Sequence, residues 1–301
     1  MDAIVLSGGG NRGAMEVGAL RAIFEEGISP DLIVGTSVGA FNGAYIAGHP
    51  TLEGVSGLER IWYGLRRPDV FPGRLPGQLL QVLRYRDRLR DPSALRRLVE
   101  QYAPAERLED LPVPLVVVAA ALDEGREAWF RRGPLVPAVM ASAAIPGVFP
   151  PVTIDGVRYV DGGVANNTPI SVAVDLGADR VWVIDVGLPC RCRQPSNLLD
   201  ILIQSLALQG VQRLAVDLRL YADRCQLTYI PLACNLEIRF TDFTKTPRMV
   251  KDAYALTKAA LAGRIDRPPW LEPGSFHDEY LRVVGESIRS RTHLNRHLRD
   301  S

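Results

Sequence analysis

The first twenty-seven residues restrict the fold more than any other stretch of the chain. An apolar run, Ala3-Ile4-Val5-Leu6-Ser7, is cut off by three successive glycines, Gly8-Gly9-Gly10. From Arg12 to Glu26 the apolar residues Met15, Val17, Ala19, Leu20, Ala22, Ile23 and Phe24 recur at helical spacing, and Gly27 closes the segment. The pattern then repeats: Asp31 to Gly35 reads as a strand and the small-residue stretch Val38 to Ala47 as a helix. Two such units in succession require an α/β fold, a mostly parallel sheet flanked by helices on both faces in three layers.

Further along, residues 54–104 read as helical and rich in arginine. Val113 to Ala121 is an expected strand with a hairpin partner at Ala128 to Arg131, and 151–161 an expected hairpin turned by Asp155-Gly156, a pair suited to positive φ. Thr168-Pro169 is expected to cap and open a short helix. Arg180 to Val186 reads as another buried strand, and 197–222 and 247–262 as helices. With no repeat visible, residues 1–265 are expected to form one domain and the polar stretch 266–301 a peripheral appendage.

Composition excludes several classes. The chain has 301 residues, 47% of them hydrophobic, so it can bury a large core and does not read as disordered. Its 35 Lys+Arg nearly balance 34 Asp+Glu, which leaves no global field for nucleic acid. The longest apolar run, Val113 to Leu122, is too short to span a bilayer. Met1 to Leu6 carries no basic segment or cleavage site, so no secretory leader is expected. Cys190 and Cys192 lack a second ligand pair and histidines are scattered, so neither a metal nor a disulfide framework is expected. A reducing, cytoplasmic setting is the expectation.

Three motifs carry chemistry. Gly8-Gly9-Gly10-Asn11-Arg12-Gly13, between strand and helix, can aim backbone N–H groups at a negative oxygen, with a helix N-terminus behind it. The same spacing fits a dinucleotide fingerprint or a tight turn without a ligand. The dinucleotide reading expects an acidic residue at the end of the second strand, but Asp31 begins that strand and Gly35-Thr36 end it. Gly35-Thr36-Ser37-Val38-Gly39 fits a nucleophile elbow, where a serine on a strained strand-to-helix turn needs small residues two positions to either side. An ordinary turn that caps a helix is the competing reading.

A serine nucleophile needs a base. His49 ends the helix that Ser37 begins, about 18 Å along its axis, and His277, His293 and His297 lie in the appendage. A carboxylate is the next choice. Asp161 ends a strand and precedes Gly162-Gly163, which permit close backbone approach; a second turn aspartate is the plainer alternative. Ser142 is assigned no chemical role. Residues 76–90 place leucines beside Arg84, Arg86, Arg88 and Arg90, as a lid touching an anionic lipid surface or as a helix covering the core.

Together, and in this order, the motifs resemble those of the patatin-like phospholipases, lipid acyl hydrolases related to the cytosolic phospholipases A2. The resemblance covers about residues 3–187 and includes Ala141 to Pro151, Asp161-Gly162-Gly163 and Asn166-Asn167-Thr168-Pro169. It implies a Ser37–Asp161 dyad without histidine, acting on lipid carboxylic esters. It also makes Gly8, Gly9, Gly10, Arg12 and Gly13 the oxyanion hole, with the N–H groups of Gly9 and Gly10 as donors. No cofactor is implied. Ser7 departs from the acidic residue many relatives carry before the glycines, which bears on loop support. Acyl transfer through the same acyl-enzyme, or a binding protein with vestigial hydrolysis, stays open, as does oligomeric state.

Overall fold

In the computed structural model, residues 1–71, 91–187, 198–232 and 241–263 are described. The stretch 76–90, the appendage 266–301, Cys190, Cys192 and the three C-terminal histidines lie outside them.

Among the described residues, eight strands make one sheet: β1 (Asp2–Leu6), β2 (Leu32–Thr36), β3 (Leu115–Ala121), β4 (Arg126–Phe130), β5 (Val152–Ile154), β6 (Val157–Asp161), β7 (Arg180–Asp185) and β8 (Gln226–Pro231). Their order is β5-β6-β3-β2-β1-β7-β8, with β4 also paired to β3. The run β3-β2-β1-β7-β8 is parallel, whereas β4 and β6 are antiparallel to β3, and β5 to β6. The expected mostly parallel sheet is present, with an antiparallel flank.

The helices are α1 (Gly13–Glu25), α2 (Val38–Gly48), α3 (Leu52–Gly64), α4 (Arg67–Val70), α5 (Ser93–Tyr102), α6 (Leu135–Ser142), α7 (Ile170–Asp175), α8 (Leu198–Tyr221) and α9 (Thr246–Leu261). Period-two alternation along the strands divides the core. Ile4, Leu6, Ile33, Leu115, Val117 and Ile184 pack under α1, α2, α3 and α9. Ala3, Val5, Val34, Val116, Val118 and Val183 meet Ile170 and Val172 of α7 and Leu214 and Leu218 of α8. Burial on both faces is why these strands read as continuous apolar runs.

Three expectations need adjustment. Residues 54–104 are not one helical stretch: α3 begins at Leu52, where Thr51 caps it by accepting the Gly54 N–H at 3.1 Å, and α4 and α5 are separate. Thr168 does not cap α7. Pro169 sits at the cap position, and the Thr168 hydroxyl turns instead to Asp185 Oδ1 at 3.4 Å. Finally, α6 and β8 exist where neither was expected.

Candidate active site

The site forms because β3 acts as a splint. Its first half pairs with β2 and its second half with β6, both along one edge. Thr36, the last residue of β2, is in register with Val118; Asp161, the last residue of β6, is in register with the next residue, Ala119. β2 runs parallel to β3 and β6 antiparallel, so the two strands end tip to tip. Ser37 and Asp161, 124 positions apart, therefore meet: the Ser37 hydroxyl donates to Asp161 Oδ2 at 2.7 Å.

Ser37 follows β2 directly and starts α2 with φ 56°, ψ −120°, a conformation that L-residues rarely adopt. Such strain persists only where the surroundings over-determine it. Here they do. A Cβ on Gly35 would overlap the Gly39 carbonyl, and one on Gly39 would overlap the Leu6 carbonyl. The Ser37 N–H donates to Ser142 Oγ at 2.8 Å, and that hydroxyl donates to the Val118 carbonyl. Ser142, without a role in the sequence reading, thus ties the elbow to the splint strand. The neighbouring Ala144 carbonyl accepts the Asp161 N–H at 2.9 Å, so the C-terminal end of α6 and the residues just after it brace both residues.

Asp161 is buried. The Gly163 N–H donates to its Oδ1 at 2.8 Å, and Gly162 lies against the Val118 carbonyl, too close for a side chain. Burial pushes the carboxyl up from 3.8 to about 6, against the pull of the hydrogen bonds from Ser37 and Gly163. That shift makes it a stronger base than a solvated aspartate.

The glycine loop lies beside the elbow. Gly8 is clamped twice by Asn167: its N–H donates to the Asn167 carbonyl and its carbonyl accepts from Asn167 Nδ2, both at 3.0 Å. Gly9 is extended against Val186, and Gly10, at φ 61°, opens the turn into α1. Among the described residues, the Gly9 and Gly10 N–H groups have no backbone acceptor. Arg12 Nε donates to the Gly9 carbonyl at 3.2 Å and Nη2 to the Gly187 carbonyl at 3.5 Å, bracing the loop from behind. Gly13 packs against Val38 and Trp62. Ser7 holds the strand end, its hydroxyl accepting the Val186 N–H at 2.8 Å.

A buried polar chain joins loop and elbow helix. Asn42 Nδ2 donates to the Gly13 carbonyl (3.0 Å) and to Glu16 Oε2 (2.7 Å), while Trp62 Nε1 donates to Asn42 Oδ1 at 2.8 Å. Burial pushes the Glu16 carboxyl well above the ordinary range. In front of Ser37 lies an apolar cavity of about 70 Å³, lined by Gly10 and Ser37 together with Phe41, Trp62, Phe71 and Phe149 among others. His49 stays away from this centre, stacked on Tyr45. Asp31 sits at the opposite end of β2, accepting the Asp2 N–H, so the acidic partner of a dinucleotide site is missing from the loop. Among the described residues, no helix is long and apolar enough to cross a membrane, and no group of three or more His, Cys, Asp or Glu side chains can hold a metal.

The fold and site define an α/β protein with a strained serine facing a buried aspartate and a glycine loop at the carboxyl edge of the sheet. Residues 4–174 match the model of the patatin-like phospholipases, and the chain belongs to that family of lipid ester hydrolases. It is 32% identical over 187 residues to human patatin-like phospholipase domain-containing protein 6, covering 62% of this chain and 13% of that one. It is 29% identical over 192 residues to lysophospholipase NTE1 of Pyricularia oryzae, covering 61% and 12%. An uncharacterized NTE family protein of Mycobacterium tuberculosis, Rv1063c, is 32% identical over 184 residues, covering 61% and 48%. The match thus spans less than half of each relative's length. Among solved structures, VipD from Legionella pneumophila aligns with a TM-score of 0.48 at 16% identity, covering 89% of this chain and 68% of that one.

Proposed function

We propose that this protein is a serine acyl hydrolase of lipid carboxylic esters, with Ser37 as nucleophile and Asp161 as its base. The observation that carries this reading is the 2.7 Å hydrogen bond from a strained elbow serine to a buried, upward-shifted carboxylate at the mouth of an apolar cavity. Asp161 takes the Ser37 proton as Oγ attacks the ester carbonyl. The oxyanion is received by the Gly9 and Gly10 N–H groups, held by Asn167 and Arg12, and collapse expels the alcohol with the proton from Asp161. Water, deprotonated by the same carboxylate, then releases the acyl group and regenerates Ser37. An alcohol in place of that water gives acyl transfer. A reducing cytoplasmic setting and transient contact with a lipid surface complete the reading.

The test is turnover of nitrophenyl esters, and Ser37 labelling by a fluorophosphonate, in wild type, Ser37→Ala and Asp161→Asn. Turnover and labelling in wild type, lost in both folded variants, support the dyad. A folded wild type that neither turns over nor labels overturns it in favour of a binding protein.

A further inference from the structure

The cavity at Ser37 has a neighbour. A second cavity, of about 260 Å³, lies behind a wall of Leu95, Ala143 and Phe149, residues that line both spaces. Phe149 is the largest of the three and only 3% exposed. Its ring stacks on Phe71, with centroids 5.8 Å apart and planes within 10°. Its N–H donates to the Ile145 carbonyl at 3.0 Å, and Pro150-Pro151 follow directly, so its backbone is restrained on both sides. The inner cavity holds the nucleophile and the larger outer one does not.

We propose that Phe149 sets the acyl-chain length this protein accepts. The hydrocarbon chain of an ester at Ser37 runs through the inner cavity and ends against the Phe149 ring, and the outer cavity is space the ring withholds. The inference rests on the reading of Ser37 as nucleophile. Its physical content is a break in chain-length dependence. Each methylene that enters apolar space strengthens binding about fourfold, whereas methylenes beyond the wall gain little. Without the ring the two cavities join, and the break moves to longer chains.

The experiment titrates straight-chain alkanoic acids, butanoic to hexadecanoic, into Ser37→Ala and into Ser37→Ala/Phe149→Ala by calorimetry, with Phe149→Leu as a milder second variant. Nitrophenyl esters of the same chains are turned over by wild type and Phe149→Ala in parallel. Expected is a rise of about fourfold per methylene up to a break. That break, and the turnover optimum, should lie several methylenes further out in Phe149→Ala and between the two in Phe149→Leu. A break at one chain length in all folded proteins overturns the proposal while ester turnover upholds the nucleophile. A break that moves when the ring is removed, beside a wild type that hydrolyses no ester, does the reverse.

Discussion

Replacing Asp161 with asparagine should make the protein more stable as the pH rises, while removing its activity. Burial lifts this carboxyl from 3.8 to about 6, which corresponds to about 3 kcal/mol. The folded state binds the proton more tightly than the unfolded chain. Stability from this group is therefore fully present below pH 3.8 and is lost as the pH rises through about 6. Between about pH 4 and pH 7 the loss comes to about 2 kcal/mol, or about 4 °C for a chain of this size. Asparagine cannot ionise, so the difference in unfolding free energy, variant minus wild type, should grow by that amount over the same range. Glu16 and Asp217, also pushed up by burial, titrate in both proteins and cancel. The assay is urea denaturation of both proteins across the range, beside wild-type kcat/KM. The rate should climb about tenfold per pH unit below 6 and level above it, because only the ionised carboxylate accepts the serine proton. Stability and activity then move in opposite directions across one window. Parallel stability curves, or a kcat/KM that stays flat from pH 5 to pH 7, would refute the reasoning.

Four further outcomes follow from the geometry. Ser37→Gly should be about 1 kcal/mol more stable than Ser37→Ala in thermal melts, reversing the usual ranking near a helix, since only glycine relieves the positive φ. Gly39→Ala pushes against the Leu6 carbonyl and should slow fluorophosphonate labelling by about 10²-fold, the cost of a nucleophile misplaced by about 1 Å. Asn167→Ala removes the side-chain clamp on the Gly8 carbonyl, leaving the main-chain one, and should lower kcat by about 10²-fold with KM nearly unchanged, because the loop acts on the transition state. Glu16→Gln cannot ionise, so its melting temperature should gain on wild type as the pH rises, because burial pushes the Glu16 carboxyl up, whereas Asn42→Ala should lose about 1–3 kcal/mol.

The sequence exposed the site's parts better than their assembly. Ser37 was legible because the elbow's steric demand writes glycines at fixed spacing, and Asp161 because a second Asp-Gly lay beyond what the 151–161 hairpin needed. Helix α6 was hidden by Pro137, a residue that reads as a breaker yet sits in a first turn, where it is tolerated. Strand β8 had a signal in the alternation of Leu227, Thr228, Tyr229 and Ile230, overshadowed by the long helix before it. Thr168 has the residue type of a cap, but a buried carboxylate competed for its hydroxyl and won. The roles of Ser142 and Asn167 are contacts across distant parts of the chain, and no local pattern encodes them.

The tip-to-tip meeting of β2 and β6 has a temporal side. During synthesis the ribosome releases Ser37 well before Asp161, and 124 residues separate them. At about 5–20 residues per second that is an interval of roughly 6–25 s. Throughout it the emerging chain carries its hydroxyl and glycine loop but no group to accept the proton. On the proposed mechanism, reactivity switches on only once β6 has found its register on β3. A hydrolase of the proposed kind is thereby kept inert until that docking.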